Sequence, residues 1–137
     1  MIRTRPGTLA GMWARKLPWI DGVAALLAGV VVLALRGVLT DFYAIPRDML
    51  TFVGVVNVAY SSVGLSLGAR TRRPAWHLWL LIGANVAWAI VCIVLVARLG
   101  GGASIFGNAH LVGEALFVLV LAVLEWRCRS VILGPLP

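Results

Sequence analysis

The hydrophobic positions of this chain fall in long blocks rather than at the spacing of an amphipathic surface helix. Met49–Ala69 carries no charge over 21 residues, and Leu78–Ala97 carries none over 20. A helix needs about 20 mainly apolar residues to cross a bilayer core, so each block predicts one span. Two outer blocks follow the same pattern. Pro18–Leu39 has a charge-free centre at Gly22–Leu35, and Ile105–Trp126 carries Glu114 near its middle. The predicted fold is all-α: a four-span transmembrane helical bundle with spans near 18–39, 49–69, 76–98 and 105–126. Residues 1–17 form a basic lead, and 18–137 form a single membrane domain.

Breaker residues sharpen the boundaries. Gly11–Leu17 fits a short interfacial helix, with Trp13 in the headgroups and Arg15 and Lys16 outward. Arg36-Gly37 is the expected end of span one, and Pro46 and Pro74 each favour a helix start just after them. The first connection carries Asp41, Arg47 and Asp48, which are placed to pair. Gly100-Gly101-Gly102 is a flexible turn, and Ser104 is a natural N-cap for span four.

Composition agrees with this reading. Of the 137 residues, 61% are hydrophobic and 12% charged, against about 25% charged in soluble domains. There is too little polar surface here to cover a soluble domain. The net charge of +7 suggests nucleic acid only until its distribution is followed. Arg3, Arg5, Arg15, Lys16, Arg70, Arg72, Arg73, Arg127 and Arg129 fall at one set of span ends, and Arg36, Arg47 and Arg98 at the other. The positive-inside rule places the richer side, and with it both termini, in the cytoplasm. The expected surroundings are a lipid bilayer, as a multi-pass protein of the bacterial inner-membrane kind, with no nucleic-acid partner. Trp13, Trp19, Trp76, Trp79 and Trp126 lie near the basic ends, and Phe42, Tyr43, Phe52 and Phe106 near the others, as aromatic belts do.

A basic start followed by Gly22–Leu35, with Val32-Leu33-Ala34 as a cleavage site, also resembles a secretory leader. The length of the basic lead and the immediate Arg36 favour a retained first span. Cys92 and Cys128 fall at different depths, so no disulfide between them is expected, and the absence of Cys-x-x-Cys removes thiol relay chemistry.

The candidate chemistry lies inside the spans. A carboxylate near a bilayer centre costs about 2.5–3.5 kcal/mol on insertion scales, so Glu114 is a functional hypothesis by default. His110 is one turn before it on the same face. In span two, Asn57, Tyr60, Ser61, Gly64 and Gly68 form one stripe, and Gly64-x-x-x-Gly68 allows close helix approach or a homo-oligomer. Counting about 1.5 Å of rise per residue places Asn57, Asn85 and Glu114 near one depth, with His110 and Tyr60 a turn to either side. Trp88 and Phe117 would supply apolar walls. Glu125 shares a face with Glu114 but falls beside Arg127 and Arg129, within reach of Arg72 or Arg73, and so reads as a surface ion-pair partner.

Three roles fit such a cluster: helix-packing glue, a pocket for a small lipophilic ligand or partner, or a protonation site in a transport path using Glu114 and His110. No cofactor is indicated. His77 and His110 fall in opposite halves and cannot hold one haem, and His110 with Glu114 lacks a third metal ligand. No partnered Ser-His arrangement suggests hydrolysis, so an enzyme is the less favoured reading. The motifs identify no named family.

Overall fold

A computed structural model of the chain describes residues 9–134; Arg3, Arg5, Pro6 and Gly7 of the basic lead lie outside the described residues. The described residues are helical throughout apart from short connections: α1 Leu9–Tyr43, α2 Arg47–Ala69, α3 Ala75–Leu99, α4 Ile105–Arg127 and a short α5 Arg129–Leu133. The first four are long and apolar enough to cross a membrane. α1 packs along α2 and α3 along α4; α1 also meets α4, while α2 and α3 touch more sparingly.

The bundle is apolar outside and partly polar inside. Leu27, Val30, Val31, Ile90, Ile93, Leu116 and Val120 are exposed, whereas Asp21, Asn57, Ser61, His77, Asn85 and Glu125 are buried. In lipid this is the stable arrangement, because a polar group facing hydrocarbon finds no partner.

α1 is longer at both ends than its apolar centre predicts. It begins before Pro18, so Gly11–Leu17 is its first part and not a separate interfacial helix. Tertiary contacts hold that part in place. Arg73 Nη1 donates to the Arg15 carbonyl (3.0 Å) and the Ile132 carbonyl (3.4 Å), Nη2 donates to the Gly68 carbonyl (3.1 Å), and Arg15 Nη1 reaches the Gly134 carbonyl (3.3 Å). Arg73 thus ties α1, α2 and α5 together at the basic end. Burial, and then repulsion from Arg15, lower its guanidinium pKa. At the other end α1 passes Gly37 and runs to Tyr43, whose carbonyl accepts from Ser104 N (2.8 Å).

The breakers act as expected elsewhere. α2 starts after Pro46 and α3 after Pro74, and α3 stops at Gly100, which has φ +53°. Ser104 Oγ accepts from Gly107 N (3.1 Å) and donates to the Phe42 carbonyl (2.9 Å), capping α4 and tying it to α1. Among the described residues, Asp41, Arg47 and Asp48 make no ion pair; Asp48 Oδ1 accepts instead from Met49 N (2.9 Å). Aromatic residues mark both ends: Lys16 lies over Trp13 and Arg129 over Trp126, each 5.5 Å from the ring, while Phe42 stacks on Phe106 at the far end.

The small-residue stripe of α2 is filled by α1 of the same chain. A Cβ on Gly64 would lie 2.8 Å from Gly22 N and 2.9 Å from the Pro18 carbonyl oxygen, and one on Gly68 would lie 2.8 Å from the Trp19 ring. The first contact is backbone on backbone and cannot yield. Gly64→Ala is therefore expected to cost about 1–3 kcal/mol, the usual range for overpacking, in reversible unfolding in mixed micelles. Gly37 has open space around it, so Gly37→Ala should be neutral or stabilising by up to about 1 kcal/mol. Equal effects at the two positions would contradict this packing.

Candidate functional site

Two groups of polar side chains within the spans border one cavity. The first centres on Glu114 of α4. Its Oε1 accepts from Asn57 Nδ2 (2.6 Å, α2) and from Trp88 Nε1 (2.8 Å, α3). Its Oε2 lies 3.4 Å from His110 Nε2, at ion-pair distance but without hydrogen-bond geometry. His110 Nδ1 is in turn 3.5 Å from Tyr43 Oη, with the two rings 5.2 Å apart. Asn57 Nδ2 also reaches the Val53 carbonyl (3.1 Å), which fixes the orientation of the amide.

The expected neighbours of Glu114 are thus half right. Asn57 and His110 are there; Asn85 and Tyr60 are not. Trp88, expected as an apolar wall, also donates its indole N–H. Tyr43, which the sequence suggests only as an interface aromatic, extends the group toward the non-basic end.

Asn85 and Tyr60 belong to the second group, nearer the basic end. Asn85 Nδ2 donates to Asp21 Oδ2 (2.8 Å) and to Glu125 Oε2 (3.3 Å). Tyr60 Oη donates to the same Asp21 Oδ2 at 2.5 Å. One residue from each of the four spans meets here. Glu125 is fully buried, which corrects its reading as a surface ion-pair partner. Eleven residues after Glu114 is about three helical turns, so it keeps Glu114's inward face. Facing decides its environment, and Arg129, near it in sequence, is engaged elsewhere: its Nη1 donates to the Trp126 carbonyl (2.9 Å).

Asp21 is the residue that sequence reasoning missed. It lies three positions past Pro18, where a carboxylate reads as an interface group. The available signal was positional: Asp21, Tyr60, Asn85 and Glu125 all fall within the basic-end halves of their spans.

The cavity that both groups border has a volume of about 300 Å³ and walls from all four spans. Phe52, Trp88 and Phe117 supply aromatic faces, and Ala24, Ala28 and Ala84 keep the space open. Asp21, Asn57, Tyr60, Asn85 and Glu114 reach its edges. A mainly apolar chamber with a few convergent polar groups is suited to bind and orient a small molecule. Among the described residues, no three His, Cys, Asp or Glu side chains gather as metal ligands do. His77 stands apart, its Nε2 at 3.2 Å from both Ser66 Oγ and the Val63 carbonyl and its ring stacked on Trp76. Comparison with known proteins finds no match among family models, curated proteins or solved structures.

Proposed function

We propose that this chain is a multi-pass membrane protein that binds a small lipophilic ligand in the cavity bordered by its two polar groups, with its basic end in the cytoplasm. The observation that carries this reading is the cavity itself. Packing glue alone predicts polar groups closed upon one another, whereas here they border about 300 Å³ of aromatic-walled space. That volume is at the lower end of ligand pockets, which run from about 300 to 1,000 Å³, so the ligand is a molecule of one or two rings or a short branched chain. Gly64 and Gly68 are occupied by α1, so any homo-oligomer would form through another face.

Phe117 lines the cavity yet is 47% exposed, so truncating it should disturb the fold little. Mass-spectrometric inventory of the protein purified in mild detergent is expected to find a lipophilic compound at near-stoichiometric ratio. Phe117→Ala should reduce its occupancy about tenfold, corresponding to roughly 1.4 kcal/mol. Finding only bulk lipid, equally in both proteins, would remove the reading.

A second reading, a proton-coupled transporter of small molecules, draws on one specific observation. Tyr43, His110 and Glu114 form a line of titratable groups running from the non-basic end to the cavity. Such lines inside spans are where proton relays are built.

A further inference from the structure

Asp21, Asn85 and Glu125 meet where α1, α3 and α4 converge, and Tyr60 of α2 closes the group. Asp21 is 1% exposed, and Asn85 and Glu125 are 0% exposed. Among the described residues, the groups that donate to the two carboxyls are neutral: the Tyr60 hydroxyl and the Asn85 amide. Arg73 and Arg129 are bound to backbone carbonyls instead. A second observation concerns hydrogen bonding, and Asn85 brings to it an acceptor from outside the acidic pair. Glu125 Oε1 and Asn85 Oδ1 are enclosed acceptors with no donor among the described residues. Buried acceptors without partners are costly, and one on a carboxyl of the pair with another on the amide bonded to both carboxyls indicate a missing positive occupant.

We infer that Asp21 and Glu125 form an intramembrane site that binds one exchangeable proton, with Asn85 and Tyr60 as its neutral supports. Two bare carboxylates this close, in a medium of low dielectric, repel strongly; one shared proton removes the repulsion and converts an orphaned acceptor into a donor. The Asn85 amide nitrogen lies within hydrogen-bond distance of both carboxyls. Among the described residues, no third His, Cys, Asp or Glu side chain joins them to make a metal's ligand set, which favours the proton. Asp21 and Asn85 also face the cavity, so the site borders the ligand space. The groups facing it are Asp21 from α1, Tyr60 from α2, Asn85 from α3 and Glu125 from α4. His77 is turned to Ser66 and Val63, and Glu114 to Asn57, Trp88 and His110.

The test uses the full chain in mild detergent, with infrared spectroscopy of the protonated-carboxyl band and unfolding measured against pH. The wild type is expected to show the band at neutral pH and to lose it in Glu125→Gln. The native site holds a proton that the unfolded chain releases. Stability is therefore present at low pH and falls as pH rises, with the unfolding constant growing by about tenfold per pH unit until the native site also deprotonates. Glu125→Gln, which mimics the protonated side chain, should flatten that profile and remain folded; Asp21→Asn is the second variant for the same comparison. A flat wild-type profile without the band overturns the inference. So does a band removed by Glu114→Gln but not by Glu125→Gln or Asp21→Asn. Stabilisation by sodium over choline at fixed pH, with no band, would assign the site to a metal cation and overturn it equally.

Discussion

Asn85→Leu is expected to destabilise the bundle by about 2–4 kcal/mol, the sum for two buried hydrogen bonds to carboxyl groups of which the second, at 3.3 Å, is the weaker. Leucine keeps the branch of asparagine at Cγ but is larger, so at this fully buried position overpacking adds to the lost chemistry. With the amide gone, Asp21 keeps only the Tyr60 hydroxyl among its two neutral donors, and Glu125 keeps none. The two carboxyls also lose the amide dipole that they share. Reversible unfolding in mixed micelles measures the cost. A double-mutant cycle identifies its origin, because Asn85→Leu should cost about 1–2 kcal/mol less when Asp21→Asn is already present. A loss of under about 0.5 kcal/mol, typical of exposed surface changes, would mean that Asn85 is not the bridge it is described as.

The contrast between Asn85 and Glu114 shows how far the sequence could be read. Four spans, their order and the basic end follow from block length, charge placement and Pro46, Pro74 and Ser104, because these act locally. Depth was legible in part, since rise per residue is fixed: Asn57 and Glu114 do share a level, but Asn85 lies nearer the basic end, with Asp21 and Glu125. Rotation of each helix about its axis was not legible. Asn85 and Trp88 are three residues apart, about 4.5 Å of rise, yet they serve different clusters. Only the packing of α3, chiefly against α4, decides which of the two faces Glu114. Glu125 was misplaced for a related reason: neighbours in sequence do not fix the side of a helix that a residue presents. Asp21 lay hidden because the end of an apolar block does not tell how far α1 continues into the basic end of the bundle. The cavity is a property of four surfaces together, and no single span encodes it.

Substitutions at Glu114 separate the remaining roles, and two variants are expected to behave in opposite ways. In Glu114→Gln the carbonyl oxygen can still accept from Asn57 Nδ2 and Trp88 Nε1, at the positions now 2.6 and 2.8 Å from Oε1. The cost to folding should stay within about 1 kcal/mol, the net worth of one ordinary hydrogen bond. Glu114→Leu leaves the Trp88 indole N–H without its acceptor, and leaves Asn57 with only the Val53 carbonyl at 3.1 Å. Each buried donor left unsatisfied costs about 1–3 kcal/mol, so the leucine variant should be less stable than the glutamine variant by about 2–4 kcal/mol. Stability alone cannot tell glue from function, since both readings share these bonds; activity can. In reconstituted vesicles under a pH gradient, a proton-coupled transporter must lose gradient-driven uptake in Glu114→Gln, which folds but cannot give up a proton. A binding protein without transport would retain its co-purifying ligand in Glu114→Gln, because Asn57 and Trp88 keep the cavity edge in place. If Glu114→Gln and Glu114→Leu proved equally stable, Glu114 would not be the acceptor that joins α2, α3 and α4. The polar centre of the bundle would then rest on the Asp21–Asn85–Glu125 group alone.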